Sequence, residues 1–147
     1  EIPKRDWSSD VCSSDLETTP LEEYRRQKTG ALFIAATVGG ALSAGADPAP
    51  WRVLGETLGE AYQIADDIRD ALGTDDELGK PAGRDADLGR PTAIAELGVR
   101  GAVKHFEGLI AQATASIPDC PGAEFLRELV DLEAQRLLPA SLLQRAA

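Results

Sequence analysis

Cysteine, histidine and aromatic side chains are all scarce in this chain of 147 residues, and cationic charge is in the minority. The two cysteines, Cys12 and Cys120, form no disulfide framework and have no metal-ligand spacing. They predict a reduced, cytoplasmic protein. The single histidine, His105, follows Lys104 on an expected helix and reads as a surface or packing residue rather than a ligand. Aromatics make up 5 % of the chain, whereas hydrophobic residues make up 43 %. The core must therefore be mostly Leu, Ala, Val and Ile, which favours packed helices over a β-sandwich. No apolar run approaches the ~18 residues needed to span a bilayer. The most apolar stretch, residues 31–46, is short and rich in Gly and Ala. Lys and Arg number 15 against 25 Asp and Glu, a net charge of −10. That excludes a continuous basic face for nucleic acid. It suits a protein that gathers divalent cations.

The opening segment, EIPKRDWSSDVCSSDL, is dense in Ser and Asp and has no apolar periodicity. Residues 6–16, DWSSDVCSSDL, resemble the translation of a common short-read sequencing adapter. Residues 1–16 are therefore expected to be non-native, and 17–147 to belong to the folded unit. Trp7 and Cys12 then carry no functional weight, and the native N-terminal part is expected to lie outside this chain.

Beyond that point the pattern is helical. Thr19-Pro20-Leu21-Glu22 predicts a helix start, with a capping hydroxyl, Pro at the first helical position and Glu at capping-box spacing. The helix should reach about Ala44 and close near Gly45, with Gly39 and Gly40 permitting close approach of a neighbour. Asp47-Pro48-Ala49-Pro50 predicts a turn and cap. A second helix should run from about Trp51 to Leu72 and end at Gly73. Its Leu54, Leu58, Ala61, Ala65, Ile68 and Leu72 recur at spacings of three and four, as one buried face requires. Residues 73–91 hold four glycines and two prolines and predict a long loop, of the kind that often covers active sites. A further helix should start at Thr92, break near Gly98 or Gly101, and reach about Ile117. After a turn at Pro118–Pro121, the last helix should run from Gly122 to Leu138. No strand-like alternation occurs, so the expected fold is an all-α bundle or part of one.

The chemistry concentrates in Gln63-Ile64-Ala65-Asp66-Asp67-Ile68-Arg69-Asp70. Asp66 and Asp70 are four apart and share a helix face, with Asp67 to one side. Three carboxylates this close repel one another, and a hard divalent cation offsets the repulsion most simply. Magnesium takes one or two carboxylates, several waters and phosphate oxygens, so the pattern points to a metal-bridged diphosphate. Alone, Asp-Asp-x-x-Asp is more often a solvated acidic face. Here Ile64, Ala65, Ile68 and Leu72 surround it and set the aspartates at the border of the buried face. Two further elements accompany it: Lys28-Thr29-Gly30 before the apolar run, and Gly79-Lys80 in the loop, followed by Asp85, Arg90 and Thr92. Gly beside Lys lets backbone and ammonium approach a phosphate together.

Taken together, Lys28-Thr29, Tyr62-Gln63, Asp66-Asp67-Asp70, Gly79-Lys80, Asp85 and Arg90-Pro91-Thr92 resemble, in order and spacing, the C-terminal half of the polyprenyl synthetase family. The resemblance runs from about Leu21 to the C-terminus. Ala95-Glu96-Leu97-Gly98 and Arg136-Leu137-Leu138-Pro139 look most like geranylgeranyl diphosphate synthases of bacterial carotenoid and bacteriochlorophyll pathways. Tyr62 stands where the family has Phe, and Arg90 where it has Lys. A guanidinium keeps the charge but binds with a different geometry.

The resemblance implies an isoprenoid-synthase helical bundle in which magnesium grips the diphosphate of an allylic substrate. The diphosphate leaves, and isopentenyl diphosphate attacks the allylic cation. It implies Asp66 and Asp70 as metal ligands, with Asp67 a ligand or an outer partner. Lys28, Lys80 and Arg90 would bind the diphosphate, Gln63 would face the reacting centre, and Thr29 would hold the Lys28 region. A first aspartate-rich motif is expected upstream of this chain, so the 147 residues alone are expected to be inactive. The family also implies a homodimer at full length. The rival readings are a class I terpene synthase, a non-catalytic subunit of a heteromeric synthase, and a helical scaffold with a chance acidic cluster. The Lys-Thr pair and the Gly-Lys loop favour the prenyl transferase.

Overall fold

A computed structural model describes residues 29–73 and 92–146 of the chain. Among these, every regular element is helical, as the all-α expectation requires. The elements are α1 (Ala31–Ser43), α2 (Ala49–Leu72), α3 (Ala93–Ser116), α4 (Ala123–Leu137) and a short α5 (Ala140–Leu143), which runs into a 3₁₀ turn at Gln144–Ala146. No described helix is long and apolar enough to cross a membrane. The expected helix start at Thr19 and most of the expected loop, residues 74–91, lie outside the described residues.

The central element is α2, which packs against α1 and against α3. The N-cap of α2 is Pro48, and Asp47 Oδ1 just before it accepts the Ala49 amide at 3.0 Å, so the predicted turn satisfies the first orphan donor of the helix. The predicted apolar stripe is the buried one: Leu54, Ala61, Ala65 and Ile68 are buried, and Leu58 and Leu72 are half-buried at its edges. One cluster joins Ile68 to Ala102, Phe106 and Leu109 of α3, Ala134 of α4 and Leu142 of α5. A second joins Leu54 to Ala113, Ile117 and Val130, with Trp51 packed against it. At the far end of α2, Arg145 Nη1 donates to the Leu72 carbonyl at 3.2 Å, satisfying one of the helix's orphan acceptors.

The expected break in α3 falls at Gly98, where φ is 67° and ψ 168°. Glycine adopts that conformation without a Cβ clash, and the helix resumes beyond it. At the C-terminal end of α3, Arg127 Nη2 donates to the Ile117 carbonyl at 3.0 Å. Beyond α4 the pattern missed α5, which Pro139 starts from an extended conformation.

The close approach of α1 and α2 is made by different glycines from those predicted. Gly39 and Gly40 are exposed, and a Cβ on either would meet nothing within 4 Å. The contact belongs to Gly55 and Gly59 of α2. A Cβ on Gly55 would lie 2.7 Å from Ile34 Cα, and one on Gly59 2.8 Å from Gly30 Cα. The reason is that α1 is apolar on every side, so its own pattern does not mark which face is covered. Alanine normally beats glycine inside a helix by about 1 kcal/mol. Here Gly55→Ala forces backbone apart and should destabilise by about 1–3 kcal/mol. Gly108→Ala on α3, where a Cβ meets nothing within 4 Å, should instead stabilise by about 0.5–1 kcal/mol. Thermal unfolding of the two variants reads the opposite signs directly.

Candidate active site

The candidate site is built on the last three turns of α2. Its i, i+4 spacing sets Asp66 and Asp70 about one helical turn apart, about 6 Å along the axis. Asp66 is exposed, whereas Asp67 and Asp70 are each only 5 % exposed. Between them, Ile68 is buried in the core and fixes the rotation of the helix about its axis. The aspartates thus straddle the border of the buried face, as their apolar neighbours predicted.

Burial of a carboxylate requires partners, and Asp67 has one in the next helix. Its Oδ2 accepts the Ala93 backbone amide at 2.7 Å. Ala93 is the first residue of α3, whose Thr92 cap accepts the Ala95 amide at 3.1 Å. Two of the orphan donors at the α3 N-terminus are therefore satisfied, one by each of two residues the sequence had singled out separately. Sequence reading marked Thr92 as a helix start but gave no sign of the Asp67–Ala93 pairing, because nothing local connects residues 26 positions apart.

On the other side, Gln63 Nε2 donates to Thr29 Oγ1 at 2.8 Å across the α1–α2 crossing. Gln63 lies three and four residues before Asp66 and Asp67, on neighbouring positions of the helix surface. Thr29 is thereby tied to α2 one turn from the aspartates. Tyr62 packs its ring against Phe33, with centroids 5.6 Å apart and planes inclined at 45°. The Gly30–Gly59 backbone approach is what brings Thr29 within reach of Gln63. Lys28, Lys80, Asp85 and Arg90 lie outside the described residues.

Among the described residues, no group of three or more His, Cys, Asp or Glu converges as a metal cage. The donor set nevertheless suits magnesium. It needs only one or two hard carboxylate oxygens from protein when water and phosphate oxygens complete the octahedron. Asp66 and Asp70 provide such a pair on one face. His105 pairs with Glu60 on the surface at 3.3 Å, away from the aspartates and in keeping with its reading as a surface residue. Cys120 is a free thiol, half-buried against the second core cluster.

Residues 6–121 match the polyprenyl synthetase family. This chain belongs to that family. The match begins at residue 6, within the segment read as adapter-like, and stops short of α4. The chain is 50 % identical over 125 residues to a geranylgeranyl diphosphate synthase of Cereibacter sphaeroides, covering 85 % of this chain and 43 % of that protein. It is 49 % identical over 123 residues to a geranylgeranyl diphosphate synthase of Rhodobacter capsulatus, covering 82 % of this chain and 43 % of that protein. A farnesyl diphosphate synthase of Escherichia coli is 38 % identical over 130 residues, 85 % of this chain and 42 % of the relative. The chain spans under half the length of each of these relatives.

Proposed function

We propose that this chain carries the second half of a trans-prenyl transferase active site, of the geranylgeranyl diphosphate synthase type. Its substrates are an allylic diphosphate and isopentenyl diphosphate. The observation that carries the reading is the joining of separate sequence elements around one stretch of α2. Thr29 is bonded to Gln63, and Gln63 stands one turn from Asp66, Asp67 and Asp70. Kinship with geranylgeranyl and farnesyl diphosphate synthases supports the choice of reaction.

In this reading Asp66 and Asp70 would hold magnesium, which would supply positive charge where the departing diphosphate becomes more negative. Lys28, Lys80 and Arg90 add cationic charge to the same anion. Thr29 and Gln63 join the start of α1 to α2 one turn from the aspartates, which orders this part of the site before the C–O bond breaks. Apolar side chains beside the site keep water from the allylic cation. A first aspartate-rich motif, outside these 147 residues, completes the metal site. The full-length protein is a cytoplasmic homodimer in the same reading.

The test is a chimera. Residues 17–147 are placed behind the part of the Cereibacter sphaeroides relative that this chain does not match. With magnesium, the chimera is expected to condense isopentenyl diphosphate with farnesyl diphosphate. The 147-residue chain alone is expected to give no turnover. A folded chimera that is inactive with every allylic diphosphate would overturn the reading. Turnover by the chain alone would refute the need for an upstream motif.

A further inference from the structure

The three aspartates of α2 are not equivalent in this fold. Asp66 is exposed, while Asp67 and Asp70 are each 5 % exposed; what sets Asp67 apart is that its Oδ2 accepts the Ala93 amide at 2.7 Å. That amide belongs to the first turn of a helix 24 residues long. A carboxylate there accepts from an orphan donor and also meets the positive end of the helix dipole. The oxygen so engaged cannot turn to a cation without giving up the Ala93 amide.

We propose that Asp67 is the positioning residue of the aspartate motif and not a magnesium ligand. It clamps α2 to the start of α3 and so fixes the rotation at which Asp66 and Asp70 are presented. The contact joins α2 to the first residue of α3. Thr92 completes the junction by taking the Ala95 amide. The immediate neighbours fit this division of labour: Ile68, next to Asp67, is fully buried, and Ala93 itself is core. This inference rests on the prenyl transferase reading for what the motif does, but the clamp itself is a property of the fold.

Three substitutions separate the roles. Asp67→Asn keeps an oxygen that accepts the Ala93 amide; Asp67→Ala removes it; Asp66→Ala removes an exposed carboxylate only. The first readout is amide hydrogen exchange and thermal unfolding of the 147-residue chain without metal. In Asp67→Ala the Ala93 amide should exchange roughly 10- to 100-fold faster, as loss of a charge-assisted hydrogen bond implies, with a lower Tm. Asp67→Asn should recover most of that protection, and Asp66→Ala should leave both readings at wild type. The second readout is the magnesium concentration for half-maximal rate in the chimera. Asp66→Ala should raise it, whereas Asp67→Asn should alter kcat without raising it. Unchanged Ala93 exchange in Asp67→Ala, or no rescue by Asp67→Asn, defeats the clamp. A magnesium requirement raised as far by Asp67→Asn as by Asp66→Ala makes Asp67 a ligand and defeats the proposal. The exchange measurement stands even if the chimera proves inactive, so failure of the functional reading is distinguishable from failure of the clamp.

Discussion

Alanine in place of Asp66 is expected to lower prenyl transfer by the chimera on the order of 10²–10³-fold, the usual loss when one preorganised stabiliser of developing charge is removed. Asp66 is exposed and lies on the helix surface, so its removal opens no cavity and strands no buried partner. The chimera's Tm should therefore stay at wild type while its rate collapses. Such a separation distinguishes a functional carboxylate from the solvated acidic face that Asp-Asp-x-x-Asp could equally have been. A rate reduced by less than about threefold would assign Asp66 to that solvated face, far below the loss expected for a charge-stabilising group. Asp70 makes a useful contrast because it is 5 % exposed. Asp70→Ala should cost both rate and stability.

Ile68→Ala is expected to destabilise the fold by about 2–5 kcal/mol, measured by urea unfolding. Ile68 is fully buried and touches a cluster drawn from α2, α3, α4 and α5. Truncation therefore leaves a cavity that no single neighbour can fill. Stabilities of single domains are only about 5–15 kcal/mol, so a loss of that size endangers folding altogether. Ile68→Val removes one methylene and should cost about 0.5–1.5 kcal/mol. The position also links core to site, because Ile68 lies between Asp67 and Asp70. Activity of Ile68→Val in the chimera should fall by more than its small stability loss implies if helix rotation sets the aspartates. A cost for Ile68→Ala below about 1 kcal/mol would contradict the burial on which both arguments stand.

Much of the helical order was legible in the amino-acid pattern. The α2 stripe from Leu54 to Ile68, the turn at Asp47 before it, the start at Thr92 and the break at Gly98 all follow from local rules. Periodicity, hydroxyl and carboxylate caps, and glycine's access to positive φ act within a few residues of the chain. The motif residues were legible for the same reason, since Asp66 and Asp70 share a face wherever an α-helix forms. Pattern alone misassigned the α1–α2 contact to Gly39 and Gly40, because a helix apolar on all sides has no marked face. It also overlooked α5, which is too short to show a period.

What the sequence by itself determined is therefore the helical class, the approximate helix boundaries and the set of chemically capable residues. The tertiary structure alone decided which glycines meet the neighbouring backbone, that Gln63 holds Thr29, and that Asp67 turns inward to Ala93 while Asp66 stays exposed. Local rules operate along the chain over three or four residues. The contacts that hold Gln63 to Thr29 and Asp67 to Ala93 join residues 34 and 26 apart, and only the packing of one helix on another brings those together.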